Sequence, residues 1–310
     1  MNNIFKMFRY NSICLEKISE EWLKENYLKI KKSTLQKYTC VVQTHIKNSS
    51  ISKISIKNIN TQSIVRFSEQ LLNDGLSAKT VNDVLLVVNQ ILKYSNEKYG
   101  EPNIKIQYVK EAKKEMRVLS LLEQNKLEIY LKEKSDIYSL AVFISLYSGL
   151  RIGELCALKW GDVQNQTICV NKTMIRLKDD NNKSSVMICE PKTENSNRTI
   201  PIPAFLNEIM EQHRKTNDDY VISTDKLDFV EPRLMQLKFK KITDICNLEQ
   251  VTFHTLRHTF ATRCVECGFD IKTLSEVLGH SDVKTTLNKY VHSSMELKKD
   301  NMEKLSVIAL

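Results

Sequence analysis

No apolar run in this sequence reaches the roughly 18 residues that a membrane-spanning helix needs, so a membrane partner is not expected. The N-terminus also lacks the basic, apolar and small-residue regions of a secretory signal. A disulfide framework is missing too: Cys14, Cys40, Cys156, Cys169, Cys189, Cys246, Cys264 and Cys267 are scattered through apolar runs. A reduced, cytoplasmic protein is the expectation. Cys264 and Cys267 form a C-x-x-C without a second pair, so both read as buried small residues rather than zinc or redox groups. His254 and His258 stand four apart like the zinc ligands of H-E-x-x-H, but Thr255 stands where the general-base Glu belongs. No credible metal-ligand set remains, and Asp179 and Asp180 read as solvated acids in a polar turn.

An excess of acid is likewise absent. The net charge is +9, and Lys and Arg outnumber Asp and Glu by 20 to 11 in the first 117 residues while the remainder balances at 26 each. All of the excess sits in the first third, which makes that third the better candidate for a polyanion-binding surface.

With 310 residues, 42% hydrophobic and 27% charged, the chain has room for two domains with a sizeable core in each. Residues 1–14 read as a loose arm and 15–100 as a helical module. Leu23, Tyr27 and Ile30 space one apolar face there, and Leu35, Tyr38, Val41, Val42 and Ile46 another. Thr61 is placed to cap a third helix that stops at Gly75, and Ser77 or Thr80 a longer fourth. The segment 101–117, with a Pro and several Lys, reads as a linker. Ser120 and Glu123 then form a capping box, and an apolar helix runs from Asp136 to Gly149. Trp160 to Ile175, Ser185 to Glu190 and Arg198 to Pro201 read as strands, with 178–183 as a hairpin turn, before helices return. The fold class expected is an all-α N-terminal domain followed by an α+β domain with one small antiparallel sheet.

Chemistry concentrates between His254 and Tyr290. His254 and Arg257, three apart at the start of a helix, project from one face; His280 follows the Gly that ends the next helix, and Tyr290 comes ten residues later. Two imidazoles, a guanidinium and a phenol suit chemistry on an anion. Arg151 lies between Gly149 and Gly153, where small residues allow close approach, and Glu154 is placed to hold its guanidinium. Lys192 sits at the edge of a tight hairpin. Singly, a salt-bridged Arg or a solvated turn Lys is the simpler reading of each. His258 reads as a buried helix residue with a satisfied ring, and Arg198 as a solvated hairpin residue.

The segments SGLRIGEL, PKTENSNRTIPI, HTLRHTFATR and LGHSDVKTT, and Tyr290 followed by Val291 and His292, resemble the tyrosine recombinase (phage integrase) family in order and approximate spacing across Val118 to His292. The module from Leu15 to Gly100 is similar to the family's helical, SAM-like core-binding domain. The tail MELKKDNMEKL looks most like integrases of conjugative transposons and phages of low-GC Gram-positive bacteria. The resemblance implies a site of six catalytic residues: Arg151, Lys192, His254, Arg257, His280 and Tyr290. Arg151 and Arg257 would clamp the scissile phosphate, Tyr290 would attack to form a 3′-phosphotyrosyl bond, and His254 would serve as base or relay. His280 would donate a hydrogen bond, and Lys192 would protonate the departing 5′ oxygen. No cofactor is implied, because the covalent bond conserves the phosphodiester energy. The partners implied are double-stranded DNA recombination sites gripped by both domains, a homo-tetramer on DNA, an accessory directionality factor, and a tail, 293–310, that docks in trans. Integration or excision of a mobile element is the expected task. DNA inversion or dimer resolution would use the same residues, a relaxing topoisomerase the same chemistry, and a regulator that binds DNA without cutting would explain charge and fold alone. The family's N-terminal arm-binding domain is expected to be absent, since about fifteen residues precede the first module.

Overall fold

The computed structural model describes residues 13–100, 104–112, 115–178, 184–190, 197–290 and 302–303. The chain divides into two compact units, Met1–Lys114 with Leu177–Lys183, and Glu115–Arg176 with Ser184–Leu310. An N-terminal α-helical region is thus followed by an α+β domain with a small antiparallel sheet. No helix among the described residues is long and apolar enough to cross a membrane.

The first region consists of α1 (Leu15–Asn26), α2 (Lys32–Val41), α3 (Thr61–Asn73) and α4 (Ala78–Tyr99). Helix α1 corrects the expected face. It buries Leu15, Ile18, Ser19 and Trp22; of the expected face only Leu23 packs, partly buried, on the same core, while Tyr27 lies beyond the last residue of the helix and is exposed. Both stripes have helical spacing, so periodicity alone does not choose between them, and the stripe that carries the Trp ring goes inward. The start of α3 also differs. Asn60, not Thr61, is its cap: the Asn60 side chain accepts from the Ser63 N–H at 3.0 Å, and Ser63 Oγ accepts from the Asn60 N–H at 2.9 Å. Helix α4 starts where expected, with Ser77 accepting from the Thr80 N–H, and buries Val81, Val84, Val88 and Ile91 against Ile64 and Phe67 of α3.

In the second unit α5 (Leu121–Lys134) opens with the expected Ser120 and Glu123 capping box. Helix α6 (Ile137–Ser148) runs from an Asp136 cap to Gly149, whose φ is 65°. Its residues 139–146 are all buried, and α5, α9 and α10 pack around it. A helix enclosed on every side cannot tilt without disturbing the whole core, so its C-terminal end is a fixed point on which side chains from other helices can be anchored. Short α7 (Ile152–Ala157) leads to the strands β1 (Val163–Gln164), β2 (Thr167–Val170), β3 (Thr173–Lys178), β4 (Ser184–Cys189) and β5 (Arg198–Pro201). Then come α8 (Ala204–Glu211), α9 (Pro232–Ile245), α10 (Phe253–Glu266), α11 (Ile271–Leu278) and α12 (Val283–Tyr290).

The strand expected from Trp160 to Ile175 is broken twice. Asn165 and Gln166 take φ of 50° and 56°, the left-handed turn that folds β1 back on β2, and β2 ends at Val170 before β3 begins. Among the described residues two sheets stand in place of one: β1, β2 and β5 in that order, and β3 with β4. Strand β5 pairs antiparallel with β2, Ile168 opposite Ile200 and Val170 opposite Arg198. Of the turn expected at 178–183, Lys178 is the last residue of β3 and the rest lies outside the described residues.

Candidate active site

Three arginines gather on the C-terminal ends of α6 and α11. Arg257, from the first turn of α10, is 2% exposed. Its Nη1 donates to the Gly149 carbonyl at 2.7 Å and its Nη2 to the Leu278 carbonyl at 2.6 Å. Helix C-termini leave carbonyls without intrahelical partners and carry partial negative charge, so these two ends both satisfy and neutralise a buried cation. Burial, then the Arg151 charge, push the Arg257 pKa down to about 9, which leaves it cationic at neutral pH.

Arg151 precedes α7. Its Nη1 donates to Glu154 Oε1 at 2.7 Å and its Nη2 to the Gly279 carbonyl at 3.2 Å, so the expected Glu154 contact is present. The flanking glycines, however, accommodate protein rather than ligand. A Cβ on Gly149 would stand 2.5 Å from the Phe260 ring, and one on Gly153 2.7 Å from the Met174 carbonyl.

Arg198 corrects the sequence reading. It is not solvated: its side chain is 6% exposed and bridges Val277 and Glu154, Nε donating to the Val277 carbonyl at 2.7 Å and Nη2 to Glu154 Oε2 at 2.8 Å. Burial tends to raise the Glu154 pKa, but the Arg198 hydrogen bond and charge and the Arg151 charge outweigh it and hold the carboxyl ionised. A signal was available. In a strand, residues two apart share a face, and Arg198 shares one with Ile200, which is 1% exposed.

Tyr290, the last residue of α12, is 6% exposed and packs among Ala261, Cys264, Leu274 and Leu278. Burial raises its pKa, and the Arg257 and Arg151 charges offset part of that. Its hydroxyl is 2.8 Å from Nδ1 of His258, so the partner that satisfies the His258 ring is the phenol itself. The His258 ring meets that of His254 edge to face at a centroid distance of 4.4 Å. His254 keeps an open side to solvent; partial burial, then Arg257, Lys289 and Arg151, lower its pKa. His280, just past the Gly279 cap, bonds through Nδ1 to Thr286 Oγ1 at 2.7 Å, and burial, then Arg257 and Arg151, push it down to about 3.

Five of the six expected residues are therefore gathered at the ends of α6, α10, α11 and α12, and Lys192 lies outside the described residues, as does His292. The C-x-x-C reading holds for one partner only, since Cys264 is buried and Cys267 exposed, and all eight cysteines are free thiols.

Comparison with known proteins adds four findings. The model of the phage integrase family matches residues 114–296. The tyrosine recombinase XerA of Thermococcus onnurineus is 30% identical over 257 residues, 81% of this chain and 83% of that one. A XerC-like tyrosine recombinase of Caldanaerobacter subterraneus subsp. tengcongensis is 28% identical over 278 residues, 80% of this chain and 71% of its own. Among solved structures, the Tn1549 transposon integrase in complex with circular intermediate DNA has a TM-score of 0.81 at 20% identity, covering 94% of this chain and all of that one.

Proposed function

Because the chain belongs to the phage integrase family and is a tyrosine-type site-specific DNA recombinase, we propose that Tyr290 is its nucleophile. The reaction class is cutting and rejoining of DNA strands through a phosphotyrosyl intermediate. The observation that carries the residue assignment is that a buried phenol, Tyr290, lies within the field of Arg151 and Arg257 and bonds to an imidazole.

Arg151 and Arg257 bind the non-bridging oxygens of the scissile phosphate and stabilise the charge that grows in the transition state. Forked donors that stay charged at neutral pH suit that task. The carbonyls that hold both guanidiniums keep them in place before DNA arrives, so little reorganisation is needed at the moment of reaction. In this scheme Thr286 donates to His280 Nδ1 across the 2.7 Å between them, which leaves the ring proton on Nε2 to be offered to the phosphate. His254, beside the imidazole that the phenol bonds, acts as a relay for the phenol's proton, and Lys192 protonates the departing 5′ oxygen. No cofactor or metal takes part in this scheme.

The helical region, residues 15–100, acts as a SAM-like core-binding module, 101–117 as the linker, and the segment 293–310 as a contact to a neighbouring protomer. Exchange between two sites breaks and rejoins four strands, each through one tyrosine that is regenerated, so four protomers act on paired DNA. Integration or excision of a mobile element is the task we assign, in the manner of the low-GC Gram-positive integrases that the tail sequence resembles, with an accessory factor setting direction.

The test is covalent trapping. Wild type and Tyr290→Phe are incubated with a nicked attachment site and no added metal, then denatured. A protein–DNA adduct in wild type alone is expected; no adduct from either protein on DNA that both bind would turn the reading toward a non-cleaving regulator.

A further inference from the structure

His258 lies outside the six residues that the family motifs mark, yet it is the group in contact with the reacting atom. We propose that His258 receives the proton of the Tyr290 hydroxyl when the phenol attacks, and returns it when the phenol leaves. The inference rests on the reading of Tyr290 as nucleophile.

The geometry is direct. Tyr290 Oη and His258 Nδ1 are 2.8 Å apart, ordinary hydrogen-bond reach for a general base. His254 stands one turn earlier on α10, exposed and edge-on to the His258 ring. Charged and titratable neighbours face His258 from two elements, His254 and Arg257 on α10 and Lys289 and Tyr290 on α12. From α11 come the apolar Leu274 and Leu278 that wall the phenol. Burial first and these cations next lower the His258 pKa to about 4, so at neutral pH the ring is neutral. A neutral imidazole with its hydrogen on Nε2 has a lone pair on Nδ1, and the phenol donates into it.

In the free protein, transfer would place an imidazolium among cations and is disfavoured. The scissile phosphate brings negative charge into the same pocket, and an anion nearby raises the basicity of the ring. Substrate therefore switches the base on. In the forward step the Tyr290 O–H bond breaks, the proton passes to Nδ1, Oη bonds to phosphorus, and the 5′ oxygen leaves with a proton from the general acid. At rejoining the incoming 5′ hydroxyl displaces the phenol, and the His258 imidazolium returns the proton to Oη.

The experiment compares single-turnover adduct formation by wild type, His258→Asn, His254→Asn and Tyr290→Phe on a nicked site between pH 6.5 and 8, a window in which Arg257 keeps its charge. Asn places an amide near the position of Nδ1, so it keeps the hydrogen bond but takes no proton. We expect His258→Asn to bind DNA as wild type does and to cleave ~10²–10⁴-fold more slowly at neutral pH. Its rate should climb about tenfold per pH unit, as hydroxide replaces the missing base, where wild type is level. Wild-type rates in His258→Asn, an equal slowing at every pH, or the pH-dependent loss appearing in His254→Asn instead would overturn the proposal. Should Tyr290→Phe still form the adduct, the nucleophile assignment fails, a result distinct from failure of His258 alone. Independently of any variant's folding, ¹⁵N spectra of the wild type at pH 7 should show His258 Nδ1 unprotonated; an Nδ1–H tautomer would also overturn it.

Discussion

His258 and His280 are held below the ordinary imidazole value of 6.5, at about 4 and about 3, first by burial and then by neighbouring cations. A group whose pKa falls on folding binds its proton more tightly in the unfolded chain. The stability it contributes is therefore complete above pH 6.5 and is lost as pH falls toward 4 and then 3. The urea midpoint should drop steadily from pH 7 to pH 4, and the drop should be smaller in His258→Asn, as tryptophan fluorescence would show. Legibility at this scale was uneven. Arg257 and His254 announced themselves by their spacing, whereas Arg198 was read as solvated although it shares a face with the buried Ile200. His258 could be placed on its helix, but its partner could not, because Tyr290 arrives from another helix.

At the scale of elements, the site is built from helix ends. The carbonyls of Gly149, Val277, Leu278 and Gly279 hold Arg257, Arg198 and Arg151, so the C-termini of α6 and α11 act as a fixed cradle for positive charge. Gly279 is where this arrangement is least forgiving. Its φ is 63°, and a Cβ there would lie 2.9 Å from the Arg198 guanidinium. Gly279→Ala should destabilise the protein by about 1–2 kcal/mol from the left-handed backbone alone, seen as a thermal midpoint several degrees lower. Helix ends were the most legible feature of the sequence, since Ser77, Asp136 and the Ser120 and Glu123 pair cap from within three residues. Faces were less so, and α1 shows why: two stripes with equal periodicity differ only in what is packed against them.

For the whole molecule, the uneven charge has a measurable consequence. With net charge +9 and a polyanionic substrate, much of the binding free energy comes from release of counterions by phosphate contacts. If about 6–10 phosphates are contacted, affinity for a duplex site should fall ~10³–10⁵-fold between 50 and 200 mM salt, measurable by fluorescence anisotropy. A loss below tenfold would mean that few phosphates are touched.

By itself the sequence determined the two-part organisation, several of the helix caps, the family motifs and five of the side chains now seen together, because capping, periodicity and motif spacing act over a few residues. Tertiary structure alone decided which face α1 buries, where the long strand breaks, and which groups meet in the site. Tyr290 bonds a residue 32 positions away, Arg198 one 79 away and Arg257 one 108 away. No local pattern encodes such pairings. They exist because a helix buried on all sides and two helix ends fix carbonyls and rings in space, and a buried guanidinium or phenol must be satisfied by whichever polar groups the packing brings within reach.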